Sequence, residues 1–333
     1  MLLQPLKTAF GTSARSLGMS RLGPVSCRSL TPSIATKRTL VGHASSYETT
    51  ETVELAWDVQ EVPNPTRTPL VFMHGLFGHK ANHHTVSKKL AADLNCNVYG
   101  LDLRNHGQSP HNPRHDYIAL ASDVERWINE VMGGKEVILI GHSMGAKTAM
   151  AVALRHPELV KYLIPVDNSP VDTSLSSDFP KYIRGMLEIQ HKKVKNSKEA
   201  QEIMRKYEPD QMIRYFLLNN LRKTDDKDEP MKFRVPVEIL GKSLGYLGDW
   251  PFFAEDGRFT KPTLFIRGTK SKYVADEFLP AIGQFFPNFE IKDIECGHWV
   301  ISQKPDEFMR DVREFVEKHD DKAAEEAKLD ADA

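Results

Sequence analysis

The chain has only three cysteines in 333 residues, Cys27, Cys96 and Cys296, odd in number and far apart. That excludes a disulfide framework and leaves no paired-cysteine spacing for a metal. No apolar run reaches the roughly 20 residues that a membrane-spanning helix needs. Excess charge of one sign is also missing, since 44 basic and 45 acidic residues give a formal net charge of −1. A chain that gripped nucleic acid through its phosphates would carry a basic surplus. His79, His83 and His84 fall close together, but without the acidic or cysteine neighbours of a zinc site.

A more local absence is informative. Residues 1–47 hold no Asp or Glu, while Lys7, Arg15, Arg21, Arg28, Lys37, Arg38 and eight serines are spread through them. That composition is expected of a mitochondrial transit sequence, cleaved somewhere before Glu48. Loss of its six positive and no negative charges would take the formal charge from −1 to −7. Residues 48–318 are expected to form one domain, and 319–333, rich in Ala, Asp and Glu, an acidic frayed helix or disordered tail.

What is present centres on residues 135–147, where Gly141-His142-Ser143-Met144-Gly145 follows an apolar β-branched run and opens an Ala-rich stretch. A strand that turns abruptly into a helix lifts a serine hydroxyl clear of the sheet, and small residues on either side let the two backbones approach. Ser143 is therefore the expected nucleophile of covalent acyl chemistry. The bland alternative is a helix N-cap, which serine also favours, but a cap needs no flanking glycines.

Three further segments bear on that reading. Residues 69–80 form a second apolar strand ending in His74-Gly75, and the loop after such a strand supplies one amide to an oxyanion while the residue after the nucleophile supplies the other. Leu76 and Met144 are the expected donors, although Gly75 and Gly78 would equally suit an ordinary turn. His298, in Cys296-Gly297-His298-Trp299, follows a late strand and precedes an amphipathic helix expected over 305–317. Among thirteen histidines it is the one placed as a general base should be, late in the chain and at the carboxyl edge of a sheet.

The acid is announced by another absence. The loop after the strand in residues 261–274 holds no aspartate, and Ser271 or Lys272 occupies the position where many such enzymes carry one. The strand at 160–166 ends instead in Asp167-Asn168-Ser169-Pro170, so Asp167 is the expected orienter of His298, with Asp256 and Asp293 as competitors. An Asx turn at a strand end is its structural alternative. Asp102 is expected to fix the loop beside the elbow rather than to act in chemistry.

Strands expected near 52–59, 69–73, 97–102, 136–140, 160–166, 262–267 and 289–294, mostly separated by helices such as 117–131, imply a mostly parallel, doubly wound α/β sheet. Residues 171–258 break that rhythm with helical segments at 181–191, 197–206 and 209–221, and are expected to cap the catalytic edge. Met186, Tyr215, Phe216, Leu217, Trp250, Phe252 and Phe253 are candidates to shape an acyl or alcohol pocket, or else ordinary cap core. The basic run at 191–198 could attract a phosphate-bearing thioester, or simply be a solvated helix face.

From about residue 69 to 316 the chain resembles the α/β-hydrolase superfamily, and within it the mitochondrial group of fungal ethanol acetyltransferases and their ester-hydrolase relatives. The resemblance lies in His74-Gly75-Leu76-Phe77-Gly78, Asp102-Leu103-Arg104-Asn105-His106-Gly107, the elbow, Asp167-Asn168-Ser169-Pro170-Val171 and Gly297-His298-Trp299. It implies an acid after the strand preceding the cap, which is Asp167, and acetyl-CoA as donor with ethanol or another short alcohol as acceptor. It also implies thioesterase and esterase activity when water intercepts the acyl-enzyme, with no metal or tightly bound cofactor. The rivals are a carboxylic ester or lipid hydrolase whose natural acceptor is water, and a catalytically idle fold that serves as a mitochondrial binding subunit.

Overall fold

The computed structural model describes residues 50–331 apart from 174, 225, 227, 228 and 256. The expected transit sequence, residues 1–47, lies outside the described residues.

Seven strands form one sheet. They are β1 (Trp57–Gln60), β2 (Leu70–Met73), β3 (Val98–Leu101), β4 (Val137–His142), β5 (Val160–Val166), β8 (Thr263–Gly268) and β9 (Phe289–Ile294), in the order β1-β3-β2-β4-β5-β8-β9. All pairings are parallel except β1 with β3. The strand expected over 52–59 is shorter and later. Upstream of it the amides of Val53 and Ala56 donate to the Asp123 carboxylate and the Ser109 hydroxyl, so these groups are satisfied outside the ladder.

Side chains alternate between the two faces of each strand, and both faces are apolar because both are covered. Val71, Met73, Leu139, Leu163 and Phe265 point into one core with α2 (Tyr117–Val131), α3 (Met144–Arg155) and α8 (Leu279–Phe285). Leu70, Phe72, Ile138, Ile140, Tyr162, Ile164 and Ile266 point into the other with α1 (His84–Leu94), α9 (Val300–Gln303) and α10 (Pro305–Ala331). The β2 strand is followed outward by β3, whereas β4 is followed the other way by β5. The switch point between β2 and β4 is where an open sheet of this kind leaves a crevice.

Between β5 and β8 the chain leaves the sheet to build the cap, from α4 (Asp178–His191), α5 (Ser197–Met204), α6 (Gln211–Leu218), the small hairpin of β6 (Leu221–Arg222) and β7 (Lys232–Phe233), and α7 (Val237–Gly248). Asn196 and Asp210 cap the second and third of these helices with their side chains, which is why those helices start where they do.

Of the two forms expected of the C-terminal segment, the structure has the helix. Helix α10 runs on to Ala331. Asp320 accepts hydrogen bonds from Arg67 at 3.1 Å, Lys161 at 2.7 Å and the Tyr162 hydroxyl at 3.0 Å. His319 packs its ring on Phe315 and Tyr162 and pairs with Glu290. Composition registers charge and alanine content, but not that two of these residues meet partners across the base of the sheet.

Candidate active site

Ser143 and Asp167 occupy equivalent positions on neighbouring strands. Each is the first residue beyond its strand, and each amide still donates to the adjacent one, Ser143 to the Val166 carbonyl and Asp167 to that of Ile266. At both the backbone then turns through the left-handed region, with φ of 54° and 53°. Such a conformation is costly for a residue with a Cβ and persists only where the surroundings enforce it. Packing supplies the enforcement at the elbow. A Cβ on Gly145 would lie 2.5 Å from the Met73 carbonyl oxygen, and one on Gly141 would lie 2.1 Å from that of Gly145. Helix α3 therefore meets β2 and β4 at backbone distance, and Ser143 is held at its N-terminus.

His298 comes from the loop between β9 and α9. Its Nε2 lies 2.9 Å from the Ser143 hydroxyl and its Nδ1 lies 2.6 Å from Asp167 Oδ2. The three residues named from the sequence are thus joined by two hydrogen bonds, with Asp167 fully buried and Ser143 8% exposed. Asp167 is further saturated: Gly268 N donates to Oδ1 at 3.0 Å and the Ser271 hydroxyl to Oδ2 at 2.5 Å. Ser271, which stands where an aspartate was first sought, therefore donates to Asp167. Of the competitors, Asp293 pairs with Arg267 on a solvent-exposed edge, and Asp256 lies outside the described residues.

The loop after β2 runs alongside the nucleophile. A Cβ on Gly75 would sit 3.2 Å from that of Ser143. Among the described residues no acceptor is paired with the amide of Leu76 or of Met144, leaving both available as donors. Two histidines hold this loop, and their partners set their tautomers. His74 Nε2 accepts from the Leu103 amide, so its Nδ1 donates to the Gly75 carbonyl at 2.8 Å. His106 Nε2 accepts from the amide of Phe77, itself at a φ of 63°, and its Nδ1 donates to the Arg104 carbonyl. The Phe77 carbonyl accepts from Asn220 of the cap at 2.7 Å. A third histidine, His142 of the elbow, donates from Nε2 to the His298 carbonyl at 2.8 Å, and the Asn168 amide group donates to the carbonyl of Ser143. None of these supporting roles is legible in the sequence, although four of the five side chains, those of His74, His106, His142 and Asn168, sit inside the quoted motifs.

Asp102 has the structural task expected of it. It accepts from the Lys80 amide, the Lys80 ammonium and the Gln108 amide. Burial opposes its charge, but these donors outweigh burial and hold the carboxyl below its ordinary value. Gly107 is required beside it, because a Cβ there would lie 2.0 Å from the carboxyl carbon.

Two cavities share Ile213 and Trp299 in their walls. One of about 520 Å³ is lined by His298, Tyr273, Ser176, Phe179 and Tyr182, and the other, of about 800 Å³, by Met212, Tyr215, Phe216, Leu218 and Leu221. Of the seven cap residues expected to shape a pocket, only Tyr215 and Phe216 line one of these. Met186 and Leu217 are buried in the core, Trp250 and Phe252 pack together and Trp250 against Phe285, and Phe253 is exposed. Of the basic run, Lys192 pairs with Glu188, Val194 is buried and Ser197 alone reaches a cavity wall.

The three supporting histidines give the site a pH signature. Burial is the leading cause in each case and pushes His74 to about 4, His142 to about 4 and His106 to about 3, from 6.5. Between those values and 6.5 the unfolded chain binds more protons than the folded one. Their contribution to stability is thus complete above 6.5 and is lost as pH falls toward 4, at up to about 1.4 kcal/mol per pH unit for each histidine. The expected outcome is a melting temperature that drops steadily below pH 6.5, measured by thermal denaturation across that range. A flat profile down to pH 4.5 would contradict it.

A family model described as the alpha/beta hydrolase fold matches residues 68–305. The chain is 39% identical over 269 residues to a probable alcohol acetyltransferase of Saccharomyces cerevisiae, covering 77% of this chain and 79% of that protein. It is 35% identical over 279 residues to an sn-1-specific diacylglycerol lipase of Danio rerio, covering 82% and 86% respectively. Among solved structures, a marine microorganism esterase matches with a TM-score of 0.73 at 29% identity, over 79% of this chain and 100% of that one. An enzyme with acyltransferase or ester hydrolase activity is what these relatives and this fold support. The chain belongs to the alpha/beta hydrolase fold family.

Proposed function

We propose that the chain is a mitochondrial, serine-dependent alcohol acetyltransferase that makes acetate esters such as ethyl acetate from acetyl-CoA and a short alcohol. The observation that carries the chemistry is the unbroken relay from Asp167 through His298 to Ser143. His298 Nε2 takes the hydroxyl proton as Ser143 Oγ attacks the acyl carbon. The amides of Leu76 and Met144 hold the oxygen on which negative charge develops. His298 returns the proton to the departing thiolate, leaving acetyl-Ser143 and free CoA. An alcohol then gives its proton to His298, attacks the acyl carbon and departs as the ester, and Ser143 recovers the proton. Nucleophile, proton carrier and oxyanion donors all come from the chain, so these steps call on no metal or bound cofactor.

Water in place of the alcohol makes the same site an esterase or thioesterase. That second reading is favoured by the diacylglycerol lipase relatives and by the two wide cavities, which exceed the needs of an acetyl group. The mitochondrial assignment is supported by the composition of residues 1–47.

Purified protein given acetyl-CoA with and without ethanol separates the readings: ethyl acetate is expected to rise with ethanol at the expense of free acetate. Acetate alone at high ethanol would leave the hydrolase. For the relay, Asp167→Asn is expected to keep the fold and lower kcat by roughly 10²–10⁴, whereas Asp293→Asn changes it by less than about twofold. A larger loss at Asp293 would move the acid. A fluorescent reporter fused to residues 1–47 is expected to enter mitochondria, and a cytosolic reporter would count against that location.

A further inference from the structure

Lys147 stands four residues after Ser143 on the same helix, and its side chain is completely buried. Its ammonium donates to three carbonyls, those of Val171 at 2.9 Å and of Gly248 and Asp249 at 3.1 Å each. It also lies 5.4 Å from the centre of the Tyr117 ring, whose hydroxyl donates to the Leu247 carbonyl at 2.9 Å. Carbonyls 247 to 249 are the end of α7, where a helix runs out of its own donors and carries the negative end of its dipole. The core thus supplies, from α2 and α3, the C-cap that this cap helix lacks.

The same point is where the two ends of the cap cross. Thr173 N donates to the Gly248 carbonyl at 2.9 Å, and Trp250 N to the Asp172 carboxylate at 2.6 Å. A Cβ on Gly248 would lie 2.8 Å from the Thr173 carbonyl oxygen, so the crossing leaves room for glycine only. From it the chain proceeds directly into the wall of the cavity at His298, through Thr173, Ser176, Phe179 and Tyr182. Ser176 N donates to the Tyr273 hydroxyl, and the Tyr273 ring lies 4.5 Å from that of His298.

We propose that Lys147 and Tyr117 are positioning residues that seat the cap: they hold the crossing of residues 171–173 and 248–250, and thereby set the width of the cavity beside His298 and the length of acyl group it admits. The proposal rests on the reading of Ser143 as nucleophile. The seat has a pH limit. The groups facing Lys147 are Asp172 and Asp249 from the cap segments and Tyr117 from α2; burial pushes the ammonium down to about 8 despite the two carboxylates. Below that value three N–H donors meet three carbonyls. Above it a neutral amine has two, and one of the three carbonyls loses its bond to Lys147.

The test uses the full chain, p-nitrophenyl acetate and p-nitrophenyl octanoate, with hydrogen exchange read in parallel. In Tyr117→Phe and Lys147→Met the octanoate-to-acetate ratio of kcat/KM is expected to change by about fivefold or more through KM, with acetate within about twofold. Exchange is expected to quicken about tenfold in residues 171–182 and 245–250 while β4 and β5 keep their protection. The native ratio is expected to shift between pH 7 and 9, and to be flat in Lys147→Met. Equal effects on both esters, or unchanged exchange in the cap segments, would overturn the proposal. If Lys147→Met does not fold, Tyr117→Phe, which loses one hydroxyl, decides the matter. Persistent hydrolysis in Ser143→Ala would fault the nucleophile instead and leave the exchange result standing.

Discussion

The site depends on a steric condition: there is no room for a side chain where helix α3 meets strands β2 and β4. With glycine at 141 and 145 the helix begins at backbone distance from the strand whose following loop carries Leu76. Everything else is registered to that contact. Ser143 takes the strained conformation because the ladder holds its amide behind it while the helix starts ahead of it. Asp167 repeats the device one strand over, and His298 is then placed between the two by hydrogen bonds rather than by its own backbone. Strain at Ser143 is sustained by the packing of the two cores on either side of the sheet.

The polar scaffold around this contact is built to stay neutral. His74, His106 and His142 are buried and use one nitrogen or both in hydrogen bonds to the backbone, tying together the loops after β2 and β3 and joining the elbow to the loop after β9. Charged pairs are kept further back, as in Arg104 with Asp123 and Arg155 with Glu125, where each carboxylate meets a guanidinium with little or no exposure. Near Ser143 the carboxylate of the relay is that of Asp167, and its three hydrogen bonds leave it little reason to attract other groups. A carboxylate so satisfied can hold one tautomer of His298 and stabilise the imidazolium when it forms.

Much of this was legible in the sequence because the chemistry of the family is written in short runs with local causes. The elbow could be read because its glycines answer a steric demand between residues four apart. The carboxylate that meets His298 could be anticipated from a vacancy, since a loop without an aspartate at 261–274 left Asp167 as a candidate at the neighbouring strand end. Helix α2 matches its expected limits, because its apolar spacing reflects one packed face. What failed to show were contacts joining distant segments. Nothing local marks His106 as the holder of Phe77, or Lys147 as a residue that meets both ends of the cap, as their partners lie 24 to 102 residues away. Aromatic residues in the cap misled for the same reason, because composition gives their number but not which of them face inward.

The relocated acid has a consequence for how such a protein can vary. Ser143 and Asp167 are carried by one continuous β4-α3-β5 unit, complete before the chain enters the cap. Of the relay, only His298 must be delivered from beyond it. The elements that position Ser143 and Asp167 are therefore independent of how the cap helices are built, provided the returning sheet strands bring one imidazole back to the same edge.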